Sequence, residues 1–144
     1  MDKDLEYMRI AYNEALKALK LDEVPIGAII VKDDEIIAKA YNLKETSKIA
    51  TKHAEIIAIE EAEKKLDNWH LDDCTLYTTM EPCMMCCGAI IQSRIKKIVF
   101  IVENPNYGCI HLLKNSKIIV INEKNDKEIK KMLKMFFEKK RINN

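Results

Sequence analysis

The chain has 144 residues, 48% hydrophobic and 33% charged, and its 24 Lys or Arg against 23 Asp or Glu leave a net charge of +1. That is enough chain for one ordinary domain, spanning 1–144, with a single core, and too apolar a chain to be disordered. A charge so near neutral excludes a global field that would draw the molecule onto nucleic acid.

The opening MDKDLEYMRI is charged and lacks the apolar run of a secretory leader, and no apolar run is long enough to span a bilayer. The expected location is therefore the reducing cytoplasm, with no membrane partner. Clustered cysteines there are more often metal ligands or redox centres than disulfides. Residues 4–20 place Met8, Ala11, Ala15 and Leu19 near helical spacing, which predicts an amphipathic helix. Val24-Pro25 leads into a strand over Ile26–Val31. Residues 32–35 turn, and Ile36–Tyr41 pairs back as a second strand. Asn42–Thr51 is polar and aperiodic, hence a loop. Ile56, Ile57, Ile59, Ala62 and Leu66 predict a helix over 53–66.

Thr75–Thr79 reads as a third strand. A helix over Pro82–Arg94 follows, with Pro82 suited to its first turn. Ile98–Val102, all β-branched or aromatic, is a fourth strand. Glu103–Ser116 is mostly loop, with a short helix at Ile110–Lys114. Lys117–Ile121 is a fifth strand, and a helix over Asp126–Arg141 closes the chain. From Glu123 onward eight Lys or Arg stand against four Asp or Glu. The preferred reading is the wet face of an amphipathic helix, and the alternative is a phosphate-contacting arm. Strands alternating with helices imply crossovers, a mostly parallel sheet and helices on both faces, with the first hairpin supplying an antiparallel pair. The expected fold is α/β, a three-layer α/β/α sandwich on a five-stranded mixed sheet.

Three of the five cysteines fall within five residues, in Pro82-Cys83-Met84-Met85-Cys86-Cys87. This segment and His53-Ala54-Glu55 both open helices after loops leaving the sheet, where doubly wound sheets keep their sites. His53, Cys83 and Cys86 offer one imidazole and two thiolates, a set that suits one Zn²⁺ per chain and leaves a fourth position open for catalysis. A water there ionises near neutral pH. Glu55 stands two residues from His53, about 200° around a regular helix. The two share a site only if His53 is the N-cap, which is the expectation, and Glu55 then serves as proton shuttle rather than ligand. A redox C-x-x-C pair and a structural site closed by His70, Cys74, Cys109 or His111 are the competing readings. Cys87, four residues from Cys83, is not excluded by spacing; Cys86 is preferred because C-x-x-C is the usual zinc spacing. Cys74, Cys87 and Cys109 read as structural; Met84 and Met85 are core or line a subunit contact, with core the preferred reading.

Taken together, H-A-E (53–55) and P-C-x-x-C (82–86) resemble the signature by which zinc-dependent base deaminases are known. The chain is similar to the cytidine/deoxycytidylate deaminase superfamily, and within it to the bacterial tRNA adenosine deaminases. E-V-P-I-G-A-I-I-V (23–31), A-Y-N (40–42), H-A-E-I-I-A-I (53–59), L-Y-T-T-M-E-P-C-M-M-C-C-G-A-I-I (76–91) and S-R-I-K-K-I-V-F (93–100) carry the likeness, with a later echo in F-F-E-K-K-R (136–141). The resemblance implies hydrolytic deamination of the wobble adenosine of a tRNA anticodon stem-loop to inosine, with Glu55 carrying the protons. It also implies a homodimer with its site near the subunit contact. By the same likeness Asn42 meets the base or its sugar, and Ile26, Ala54, Asn104 and Phe136 are expected as further substrate contacts. Lys44, Lys48 and Lys52 are candidate phosphate contacts beside the pocket. Ile49-Ala50-Thr51-Lys52 and Glu103–Gly108 depart from that family's usual residues, and E-N-P-N-Y (103–107) resembles fungal-type cytosine deaminases. The alternative substrate is therefore a free nucleobase, cytosine or guanine, under a lid formed by Phe136 or Phe137. A catalytically dead, RNA-binding relative is disfavoured because Glu55 is present.

Overall fold

Asp33 and Asp34 both take left-handed backbone angles, φ 51° and 60°. Two such residues in succession make the turn whose twist matches a β-hairpin. They join β1 (Gly27–Lys32) to β2 (Glu35–Tyr41) in the computed structural model, which describes residues 2–104, 106–123 and 127–143. The helix α1 (Asp2–Lys20) precedes the hairpin. A short turn of helix, α2 (Lys44–Ser47), and then α3 (Ala54–Leu66) follow it. Next come β3 (Cys74–Met80), α4 (Met84–Gln92), β4 (Lys97–Val102), α5 (Ile110–Asn115), β5 (Ile119–Asn122) and α6 (Lys127–Asn143). The sheet order is β2-β1-β3-β4-β5.

The five-stranded mixed sheet is as expected, but it is less parallel than the strand–helix alternation suggests. β3–β4 and β4–β5 are parallel, whereas β1 is antiparallel to both β2 and β3. The cause is the first crossover. The chain leaves β2, passes through α3 and returns as β3 on the far side of β1. β3 therefore runs parallel to β2, which it does not touch, and antiparallel to β1, which it does.

Alternation along the strands divides two cores. Ala28, Ile30, Leu76, Ile98 and Phe100 pack with α3, α4 and α5 on one face. Ile29, Val31, Tyr77, Val99 and Ile101 pack with α1 and α6 on the other. These are the three layers. α1 settles on the sheet through Met8, Ala11, Ala15 and Ala18, all fully buried; its apolar stripe ends on Ala18, not on Leu19, which is exposed. Alanine at those positions lets the helix backbone reach the strand. A Cβ on Gly27 would lie 1.9 Å from the Ala11 carbonyl oxygen and 2.5 Å from the Ala15 nitrogen. Gly27 is thus required by a close approach, not by its backbone angle.

Most element ends shift by a residue or two from the sequence reading, and three differences have a clear local cause. α4 begins at Met84, so Pro82 lies before the helix and Cys83, with φ −75° and ψ 177°, is its N-cap. Cys83 is held extended because it bridges to Gly108 in the loop after β4. β5 starts at Ile119, since Lys117 takes a left-handed φ of 62° that no strand accepts. The polar stretch after Asn42 contains α2. The expected start of the last helix at Asp126 lies outside the described residues. Among the described residues no helix is long and apolar enough to cross a membrane.

Candidate active site

Three chain segments leave the sheet along one edge. Tyr41 pairs with Gly27 at the end of β2, Ala28 with Thr78, and Met80 with Val102. The segments that follow Tyr41, Met80 and Val102 therefore start side by side. The first leads through α2 to His53, the second to Cys83, and the third to the 103–109 loop.

His53 is the N-cap of α3, with φ −79° and ψ 151°, as the spacing of His53 and Glu55 demands. Cys83 holds the same position on α4 and Cys86 the third helical position. Both helices thus present their positive ends to one spot, which favours thiolates. Cys83 Sγ lies 3.7 Å and Cys86 Sγ 3.6 Å from His53 Nδ1, and the two sulfurs are 3.9 Å apart. Among the described residues this is the group whose spacing can hold a metal ion. With zinc–sulfur and zinc–nitrogen bonds of about 2.3 and 2.0 Å, a tetrahedron has edges of roughly 3.8 Å between sulfurs and 3.5 Å from sulfur to nitrogen. The observed triangle is within about 0.2 Å of that.

The metal-free electrostatics already point the same way. The Cys86 thiol and His53 hold Cys83 down to about 3, so Cys83 stands as a thiolate. Cys86 is pushed up, first by sharing its proton with Cys83 and then by burial. Cys87 is set apart. Its thiol donates to the Pro82 carbonyl (3.6 Å), and burial raises it to about 12. Cys74 and Cys109 are buried in the core on the α3/α4 face.

Glu55 is buried in the first turn of α3, and its Oε1 has no hydrogen-bond partner. Burial lifts its carboxyl to about 7, against the pull of its own backbone amide, His53 and the Thr78 hydroxyl. Its charge bears on Cys86 as well, which places it against the donor group. A buried carboxylate oxygen left unpaired costs about 1–3 kcal/mol or more. The fold holds one beside an imidazole and two sulfurs.

The other expected contacts are placed as follows. Asn42 is buried, and its Oδ1 accepts the Ala54 N–H at 3.3 Å, which ties the end of β2 to the start of α3. Ala54 is fully buried. Ile26 is half-buried, and its carbonyl accepts the Asn42 N–H at 3.1 Å. Asn104 lines a cavity of about 470 Å³ together with His53, Cys83, Met84, Tyr107 and Gly108. Phe136 is not brought to that cavity. It stands edge-on to Phe137 and faces α1 and the Glu45–Thr46 turn.

Sequence reasoning missed Glu81 and Gly108. Glu81 Oε1 accepts the Asn104 N–H (3.2 Å), and the Cys109 N–H donates to the Pro82 carbonyl (3.3 Å). A Cβ on Gly108 would lie 1.9 Å from Glu81 Oε2. These contacts fasten the 103–109 loop to the segment carrying Cys83, so the loop is a wall of the cavity. The adjacency of Glu81 to the cysteine motif was the available signal. Met84, expected as core, is 68% exposed at the cavity rim.

Residues 1–141 match the sequence model of the MafB19-like deaminases. The chain belongs to that deaminase family. It is 49% identical over 115 residues to the tRNA-specific adenosine deaminase of Bacillus subtilis (strain 168), an overlap of 80% of this chain and 71% of that one. A structure from a study of A-to-I editing by tRNA:A34 deaminases superposes with a TM-score of 0.79 at 32% identity, over 83% of this deaminase and 98% of the other chain. The guanine deaminase of Bacillus subtilis superposes with a TM-score of 0.66 at 31% identity, over 92% of each chain. The deaminase thus has the cytidine deaminase-like fold and is an enzyme of that superfamily, and its donor group and orphaned carboxylate stand where the sheet edge concentrates three segments.

Proposed function

We propose that this deaminase converts adenosine to inosine at the wobble position of a tRNA anticodon, with one zinc ion held by His53, Cys83 and Cys86. The observation that carries the proposal is the unpaired, buried Glu55 Oε1 beside those three donors. When bound, the zinc ion supplies Lewis acidity that lets a water ionise near neutral pH. Glu55 is the catalytic residue. It takes the proton the attacking water gives up, passes it to the ring nitrogen of adenine, and later delivers a proton to the departing ammonia. Water and adenosine are consumed; inosine and ammonia are released. Burial suits the task, because a carboxyl held near neutrality accepts and returns a proton with little penalty. A cation held by His53, Cys83 and Cys86 would favour the ionised form of Glu55, the form that accepts the proton.

Asn42 binds substrate in this reading. Its oxygen is engaged by Ala54 N–H, which leaves its amide hydrogens to donate to the base or its sugar. Ile26, Ala54 and Asn104 shape the pocket around the reacting ring. Phe136 meets substrate only where a longer RNA extends past the Glu45–Thr46 turn. The protein acts as a homodimer in the cytoplasm. Met84 and Tyr107, 68% and 72% exposed at the cavity rim, support a subunit contact there.

The free-base alternative needs a closed lid, and neither Phe136 nor Phe137 lines the cavity that holds His53. The resemblance to a guanine deaminase structure nevertheless makes guanine the control substrate. Purified, zinc-loaded protein is incubated with an adenosine-34 stem-loop, free guanine and free cytosine, and inosine and ammonia are followed. Inosine in the stem-loop supports the proposal; ammonia from a free base with an unchanged stem-loop contradicts it.

A further inference from the structure

Glu23 is fully buried, yet no core group partners its carboxylate in the hydrogen bonds it makes. Oε1 accepts the Glu45 N–H at 3.0 Å, and Oε2 accepts both the Thr46 N–H and, at 2.6 Å, the Thr46 hydroxyl. Burial alone would push this carboxyl up; the three donors from α2 outweigh it and hold the group below the ordinary glutamate range. Burying an ionised carboxylate is expensive and is normally offset by what it secures. Here it secures a four-residue turn with no buried residue. The turn adds nothing to either core. What it presents is a surface.

That surface carries Lys44 and Lys48 with an exposed Glu45 between them, and it adjoins the donor group. Lys44 is exposed and follows Asn42 by two residues, and the Asn42 Oδ1 accepts the Ala54 N–H next to His53 at 3.3 Å. Lys48 is exposed at the end of the turn, with a left-handed φ of 62°, and its charge reaches Glu23. The Leu43 N–H donates to the Lys52 carbonyl at 3.0 Å, which closes the loop immediately before His53. Lys52 itself is engaged with Glu60 at 3.5 Å. We infer that Glu23 is a positioning residue for the substrate: through the Lys44–Ser47 turn it sets Lys44 and Lys48 beside the active site as contacts to the phosphates of an RNA strand. The inference rests on the tRNA reading above. It gives a purpose to a buried charge that the packing does not explain.

The test measures kcat and KM on an adenosine-34 stem-loop across salt concentrations. It compares wild type, Glu23→Gln, the pair Lys44→Ala/Lys48→Ala, and the triple variant. The lysine pair should raise KM about tenfold and flatten the slope of log KM against log salt by about 1.4, at roughly 0.7 per lost single-strand phosphate contact, with kcat nearly unchanged. Glu23→Gln should move KM and the slope in the same direction, and the triple variant should be no worse than the lysine pair. If Glu23→Gln does not fold, Thr46→Val at an exposed position replaces it, and should raise KM only while both lysines are present. Additive effects, or an unaltered slope in the lysine pair, overturn the inference. An inactive wild type overturns it together with the tRNA reading, whereas an active wild type with an unaltered slope overturns the inference alone.

Discussion

Gly108→Ala should damage activity without emptying the metal site. The added Cβ lands 1.9 Å from Glu81 Oε2, 2.3 Å from Glu81 Cδ and 2.6 Å from the Asn104 carbonyl oxygen. Ordinary contact needs about 3.5 Å, so the worst pair must separate by roughly 1.5 Å. Glu81 cannot simply swing aside, because its Oε1 accepts the Asn104 N–H at 3.2 Å. Losing a hydrogen bond to a charged acceptor costs about 1.5–3 kcal/mol. Keeping it means moving the backbone at Asn104 or opening the Cys83–Gly108 bridge. Either way the wall of the pocket shifts by about an ångström, a displacement that can cost on the order of 100-fold in rate. Steady-state kinetics on the stem-loop, with zinc counted per chain, reads the effect: kcat/KM falls ten- to 100-fold, on that same order, while metal content holds. Glu81→Ala alone should cost part of this, and adding Gly108→Ala to it should cost less than the sum of the two, because the Glu81 clash is gone and only the 2.6 Å approach to the Asn104 carbonyl oxygen remains. Wild-type kcat/KM in Gly108→Ala, or fully additive losses, would refute the clamp.

Cys86→Ser should abolish zinc binding at a level of about one per chain, whereas Cys87→Ser should retain it, since of these two thiols Cys86 faces His53 and Cys87 turns to the Pro82 carbonyl; elemental analysis after dialysis distinguishes them, and equal losses would put Cys87 among the ligands. Gly27→Ala should destabilise the fold by about 1–3 kcal/mol or more, lowering Tm by roughly 3 °C per kcal/mol, because the new methyl meets helix backbone that cannot rotate away; an unchanged Tm would mean that α1 sits farther from β1. Glu23→Gln should lower stability at neutral pH, and the gap to wild type should close with acidification. The folded carboxyl is held below its unfolded value, so its contribution is complete above the unfolded value and lost as pH falls through the folded one. Urea unfolding at several pH values reads this, and a gap that widens in acid would contradict it.

The proposed metal ligands were legible because their signal is local. Three residues of fixed chemistry stand at two helix starts, and the two-residue spacing of His53 and Glu55 admits a shared site only with His53 at the N-cap, where it is found. The strands and long helices were legible from periodicity. What was not legible depends on contacts across the chain. α2 has no capping side chain of its own and exists because Glu23, more than twenty residues earlier, accepts its amides. Cys83 leaves helical geometry because Gly108 pairs with it. β1 and β3 are antiparallel because the first crossover passes over β1, a choice that no periodicity encodes. Phe136 reads as a lid residue in the sequence, but α6 turns it toward α1.

The account turns on two separable roles, a metal held by His53, Cys83 and Cys86 and a proton carried by Glu55. Glu55→Gln separates them. Zinc per chain and inosine formed in an adenosine-34 stem-loop are measured on the same preparations of wild type and variant. The account predicts equal zinc and a rate lower by about 10²–10⁴. Equal rates, or zinc lost along with activity, would contradict it.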